Sequence, residues 1–142
     1  EGEALSHATV VRRLAELIAP DQIYQFGIRS AAADELSYAR RRTNFYPFQV
    51  LEPLARVLPS LQGRPLYLSL DIDVFDPAFA PGVGTPEPGG QSVETILAAL
   101  KLLEGHNIVG ADIVELCPPF DPSERTAVLA ALLVRELLLL GG

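Results

Sequence analysis

The chain has 142 residues, 49% hydrophobic and 20% charged, which excludes a disordered polymer and allows one domain with a real core. Its net charge of −7 argues against a nucleic-acid surface and is compatible with a cationic ligand. The longest apolar run is broken by Arg135 and Glu136, so no bilayer span is expected, and the single cysteine, Cys117, excludes an internal disulfide and points to a reducing, cytoplasmic setting.

In chain order, residues 6–18 put Val10, Leu14, Leu17 and Ile18 on one helical face, with Ser6 as N-cap and Pro20 as the stop. Residues 23–28 are short, aromatic and β-branched, and predict a strand. The alanine-rich stretch 31–42 predicts a helix whose end, Arg40 to Arg42, is solvated. Residues 45–46 predict a brief strand, and residues 47–58 a helix with Pro47 in its first turn.

Residues 65–71 form a continuous apolar run, suited to a strand covered on both faces. The proline- and glycine-rich stretch 72–91 predicts a long loop, and a loop of that length in a compact domain is usually functional. Residues 92–104 predict a helix and 108–114 a strand. Asp121-Pro122-Ser123-Glu124 reads as a capping box opening a final helix that stops at Gly141. Strands alternating with helices predict βαβ units around a parallel sheet, with ligands beyond the carboxyl ends of the strands. Three segments fall there: Gly27-Ile28-Arg29, Asp71-Ile72-Asp73, and Asp112 to Glu115.

The chemistry is concentrated at Asp71 and Asp73. Side chains on a strand repeat every two residues, so the two carboxylates project to one side if the extended backbone persists. Two like charges that close need a proton or a cation between them, and hard oxygen donors suit a divalent metal. A plain turn with capping aspartates is the competing structural reading. Asp76 is expected to order the loop through Asp-Pro turn chemistry, and Asp112 to hold a structural hydrogen bond. Arg29 is read as structural, His106 as solvated and Cys117 as a small buried residue.

The run Ser69 to Thr85, with its Asp71-Ile72-Asp73 core and its Pro81-Gly82-Val83-Gly84-Thr85-Pro86 close, resembles the signature of the ureohydrolases, the family of arginases and agmatinases. Asp112-Ile113-Val114-Glu115 with Cys117-Pro118-Pro119-Phe120-Asp121 resembles the family's second C-terminal block. Gly27-Ile28-Arg29 and Thr126 with the helix after it also fit. Thr85 to Gly90 is most similar to the agmatinase-like branch.

The resemblance implies a three-layer α/β/α fold with a mostly parallel, doubly wound sheet, of which residues 1–142 would be a single α/β domain portion, the C-terminal part. It implies two Mn2+ ions per active site, with Asp71 bridging them and Asp73 binding one. It further implies Glu115 as the acceptor for a guanidinium, and His7 as a catalytic proton shuttle at the leaving amine. The implied reaction is hydrolysis of a small cationic guanidino substrate, agmatine to putrescine and urea. Arginase, guanidinobutyrase, formiminoglutamase and aminopropylagmatine hydrolase activities are the alternatives, along with a non-catalytic scaffold. A homo-oligomer, trimer or hexamer, is implied as well, with no nucleic acid and no membrane as partner.

Two departures accompany the resemblance. The family's histidine-containing metal blocks are absent, since the only histidines are His7 and His106, and the chain starts at Glu1 and contains no methionine. These features read as the C-terminal half of a longer enzyme, inactive alone. Cys117 stands where the family commonly has asparagine.

Overall fold

The computed structural model describes residues 5–140. The first predicted helix is divided. A 3-10 turn, His7–Thr9, leads into a five-residue helix α1, Val10–Leu14. Thr9 Oγ1 accepts from the Ser6 N–H at 2.9 Å and so closes the turn. Leu5, Val10 and Leu17 on this segment are largely exposed, so little tertiary burial lengthens the helix.

Two parallel βαβ units follow. Strand β1, Tyr24–Phe26, passes through helix α2, Ala33–Arg42, to β2, Asn44–Tyr46. Phe26 and Tyr46, register partners, stack with ring centroids 5.2 Å apart. Helix α3, Leu51–Leu61, starts four residues later than the sequence predicts. Phe48 sits at φ +63°, outside helical space, so Pro47 cannot open the helix; the first-turn proline is Pro53, where a missing N–H costs nothing.

The second unit runs from strand β3, Leu66–Asp71, through helix α4, Val93–Lys101, to strand β4, Ile108–Val114. Ser92 caps α4, its Oγ accepting from the Thr95 N–H at 3.2 Å. Among the described residues the strands form two parallel pairs, β1–β2 and β3–β4, and the α/β alternation expected from the sequence is present. The C-terminal helix α5 is Arg125–Leu140. Glu124 lies at φ +59°, so the expected capping box does not form around it. Asp121 caps from further back: its carboxylate accepts from the Thr126 N–H at 2.8 Å, from Thr126 Oγ1 at 2.6 Å, and from Ser123 N–H and Oγ.

The core lies between β3–β4 and helices α3, α4 and α5, and a large share of it comes from the predicted loop. Ile72, Phe75, Ala80 and Val83 are essentially inaccessible and pack with Leu58, Ile96, Leu100 and Leu133. Burying a side chain of this size contributes about 1.5–3 kcal/mol. The stretch 72–91 is therefore a packed wall. It is stitched by backbone bridges between Phe75 and Gln91 and between Val83 and Leu116. No helix among the described residues is long and apolar enough to cross a membrane.

Candidate metal centre

The carboxyl ends of β3 and β4 carry the acidic residues that the sequence singles out. Strand β3 does not stay extended through them. It stops at Asp71, and Ile72–Val74 turns as a 3-10 helix. The pleat argument for Asp71 and Asp73 thus gives way to a turn: Asp71 Oδ1 accepts the Asp73 N–H at 2.9 Å, which caps the turn and draws the two residues together. Thr85 Oγ1 donates to Asp73 Oδ2 at 3.5 Å, a contact the sequence reading did not assign although Thr85 lies inside the quoted motif.

Electrostatics mark the same spot. Asp71 is half-buried and its carboxyl is pushed up to about 7. Loss of water is the main cause; the Asp73 N–H opposes it, and the negative charges of Asp73 and Glu115 add to it. Glu115 therefore belongs to the same constellation. It is held at φ +66°, a conformation that costs a non-glycine residue about 1–3 kcal/mol and that clusters at functional sites. A β-carbon placed on Gly84 would lie 3.9 Å from Glu115 Oε2, so the loop backbone passes directly beside this carboxylate.

The donor set fits a hard divalent cation: two neighbouring carboxylates whose mutual repulsion a positive ion would relieve. It fits only part of one coordination shell. Among the described residues no group of three His, Cys, Asp or Glu side chains is placed to hold a metal.

Asp76 orders the loop as expected, accepting from Ala78 N–H at 2.9 Å and Gly89 N–H at 2.8 Å, and these bonds, Ala78 first, hold its carboxyl below the usual range. Asp112 accepts from Tyr67 Oη at 2.8 Å and Ser69 Oγ at 2.6 Å across β3–β4, a structural role. Cys117 is half-buried rather than buried, and its N–H donates to Gly82 O at 2.7 Å. His106 is half-buried against the end of α3, with Nε2 3.4 Å from Leu58 O, and is not simply solvated.

His7 is exposed in the first 3-10 turn, and no hydrogen bond among the described residues joins it to Asp71, Asp73 or Glu115. Beside it, Leu5, Thr9, Val10, Leu14 and Leu17 line an open apolar groove of about 340 Å³ that contains none of the acidic residues.

The family model described as "Arginase family" matches residues 1–140. The chain belongs to the arginase family. It is 49% identical over 142 residues to an agmatinase of Bacillus anthracis, covering 98% of this chain and 49% of that one. It is 38% identical over 149 residues to a guanidinobutyrase of Pseudomonas aeruginosa, covering 96% of this chain and 46% of that one. Its fold matches the crystal structure of agmatine ureohydrolase of Thermoplasma volcanium at a TM-score of 0.83 and 33% identity, covering 99% of this chain and 49% of that one. The chain spans about half the length of the curated relatives it matches.

Proposed function

We propose that this chain carries the Asp71–Asp73–Glu115 part of the active site of a metal-dependent ureohydrolase, and that the reaction is hydrolysis of agmatine to putrescine and urea. The observation that carries the reading is the convergence of the three carboxylates at the ends of β3 and β4, on a chain with 49% identity to an agmatinase. The lower identity, 38%, to a guanidinobutyrase favours agmatine over a guanidino acid. The net charge of −7 also suits a doubly cationic substrate better than a zwitterionic one.

In this reading Asp71 and Asp73 hold Mn2+, together with further donors beyond these two. Bound metal would supply a water of lowered pKa, able to act as nucleophile near neutral pH. Glu115 accepts hydrogen bonds from the guanidinium, a charge-assisted pairing that fixes the orientation of the substrate. His7 delivers a proton at a ring nitrogen to the departing amine, the general-acid role that an imidazole can fill. Its exposed position on the first turn requires that substrate or neighbouring chain bring the two together. Residues 1–142 would be part of a single α/β domain, in a homo-oligomer located in the cytoplasm.

The test is urea release by the whole protein from agmatine, arginine and 4-guanidinobutyrate, with and without Mn2+. Manganese-dependent urea from agmatine in preference to the other two, lost on Asp71→Ala, supports the reading. Equal or better turnover of arginine or the guanidino acid refutes the substrate assignment, and absence of urea from all three refutes the activity.

A further inference from the structure

Arg29 follows β1 by way of Gly27, at φ +73°, and Ile28. A guanidinium that sits against the Asp73 backbone and near enough to Asp76 to help hold its carboxyl below the usual range would be expected to pair with a carboxylate. It does not: no ion pair among the described residues includes Arg29. Its N–H groups go instead to four backbone carbonyls. Nη1 donates to Val74 O at 3.1 Å and to Gly27 O at 3.5 Å, and Nη2 donates to Asp73 O and to Glu87 O at 3.0 Å.

These carbonyls belong to three separate segments: the exit of β1, the turn that presents Asp73, and the loop that passes beside Glu115. The turn and the loop are already joined through backbone, with Gln91 N–H donating to Val74 O at 2.8 Å and Asp76 N–H to Gln91 O at 3.1 Å, and the guanidinium extends that junction to Glu87 and to the exit of β1. Val74 and Gly27 are also in side-chain range, since a β-carbon on Gly27 would lie 3.0 Å from both Val74 Cγ2 and Val50 Cγ2. The turn Ile72–Val74 leaves carbonyls at its end without partners inside the turn. A planar fork of donors can bind several of them at once while adding a positive charge behind the turn.

We propose that Arg29 is a positioning residue for the metal-binding carboxylates, acting by clamping the Asp73–Val74 backbone to the Glu87 segment of the loop. The clamp rests on the metal-site reading given above. Because the guanidinium engages Asp73 through its carbonyl, the Asp73 carboxylate stays available in front for a cation. A lysine at this position would keep the charge, but its compact ammonium cannot reproduce a planar fork reaching three segments.

The experiment compares the whole protein with its Arg29→Lys variant in two measurements. The first is calorimetric titration with Mn2+ alone. The second is amide hydrogen exchange of the metal-free protein across residues 72–90. The clamp predicts Mn2+ affinity weakened about 10- to 100-fold, the range seen when a residue supporting a metal ligand is lost. It also predicts faster exchange confined to 72–90, with β4 and α5 unchanged. Wild-type affinity in the variant overturns the proposal, as does faster exchange throughout the molecule or failure to fold, which would make Arg29 merely structural. The Mn2+ and exchange readouts need no substrate. A wild-type protein that binds Mn2+ but hydrolyses no guanidino compound therefore refutes the proposed activity and leaves the clamp to be judged on its own data.

Discussion

Thr126→Val is the sharpest test of how the loop is tied to the rest of the fold. Thr126 is fully buried at the start of α5. Its Oγ1 accepts from the Gly82 N–H at 2.9 Å and donates to Asp121 Oδ2 at 2.6 Å. Valine keeps the shape and the β-branch but removes both bonds. The orphaned Gly82 N–H has nowhere to turn, because Gly82 is itself buried and a β-carbon there would lie 2.8 Å from Asp121 Cβ. An unsatisfied buried donor costs about 1–3 kcal/mol, and losing the bond to a carboxylate puts the expected cost near the upper end. Thr126→Ser retains the hydroxyl and gives up one methyl, for about 1 kcal/mol. Urea denaturation of the whole protein at neutral pH measures both. Equal losses in the two variants would refute the argument, because the hydroxyl would then be contributing nothing beyond its bulk. The effect should also reach the site, since Gly82 O holds the Cys117 N–H and Val83 bridges to Leu116, beside Glu115.

Ser92→Ala removes the cap of α4 and should cost about 1 kcal/mol in the same denaturation assay, with Ser92→Gly costing only a few tenths. Gly90→Ala should be strongly destabilising, since its β-carbon would fall on the Phe75 carbonyl and the Asp76 nitrogen, breaking the Phe75–Gln91 bridge; a variant with wild-type midpoint would contradict this packing. Asp121 is held well below the usual carboxylate range by Ser123 Oγ, Thr126 Oγ1 and the N–H groups of the same two residues. A carboxyl with a depressed folded pKa stabilises the protein above its unfolded pKa, about 3.9 for aspartate, and that contribution is lost as pH falls through the folded value. The stability gap between wild type and Asp121→Asn should therefore be full at neutral pH and shrink in strong acid. A gap that widens on acidification would reverse the assignment.

Much of the element pattern was legible because its signals are local. Apolar runs gave β3 and β4, and alternation with helical stretches gave the parallel α/β arrangement. The errors have local causes too. The first helix is interrupted because its apolar face finds little to cover it, which no periodicity can reveal. Pro47 looked like a first-turn proline, but the left-handed Phe48 after it decides otherwise, and a φ of +63° at phenylalanine leaves no trace in composition. Glu124 and Glu115 escape for the same reason. For the candidate site, the spacing of Asp71 and Asp73 singled out two residues that the structure does bring together, by a different geometry from the one expected. The pair is brought together by a capped 3-10 turn, not by the pleat of a strand. Arg29 was visible in the sequence as a cation next to a strand end, yet its four partners are backbone carbonyls, and no sequence pattern reports where a carbonyl points.

The stretch 72–91 unites these observations. A run rich in proline and glycine suggests a flexible rim, but proline limits the unfolded chain and glycine permits close approach, so the same composition also suits a rigid, irregular wall. The structure takes the second course: Ile72, Phe75, Ala80 and Val83 are sunk in the core, while Asp71, Asp73 and Thr85 flank them at the mouth. Alternating anchors and functional groups along one segment ties the position of each carboxylate to core packing. Catalytic groups must be held to a fraction of an ångström, and a wall with four buried anchors, one arginine clamp and two backbone bridges meets that demand without regular secondary structure. Core substitutions such as Val83→Ala should consequently lower stability and also weaken divalent-metal binding at the proposed site. Phe79→Ala, at an exposed position of the same wall, should change neither.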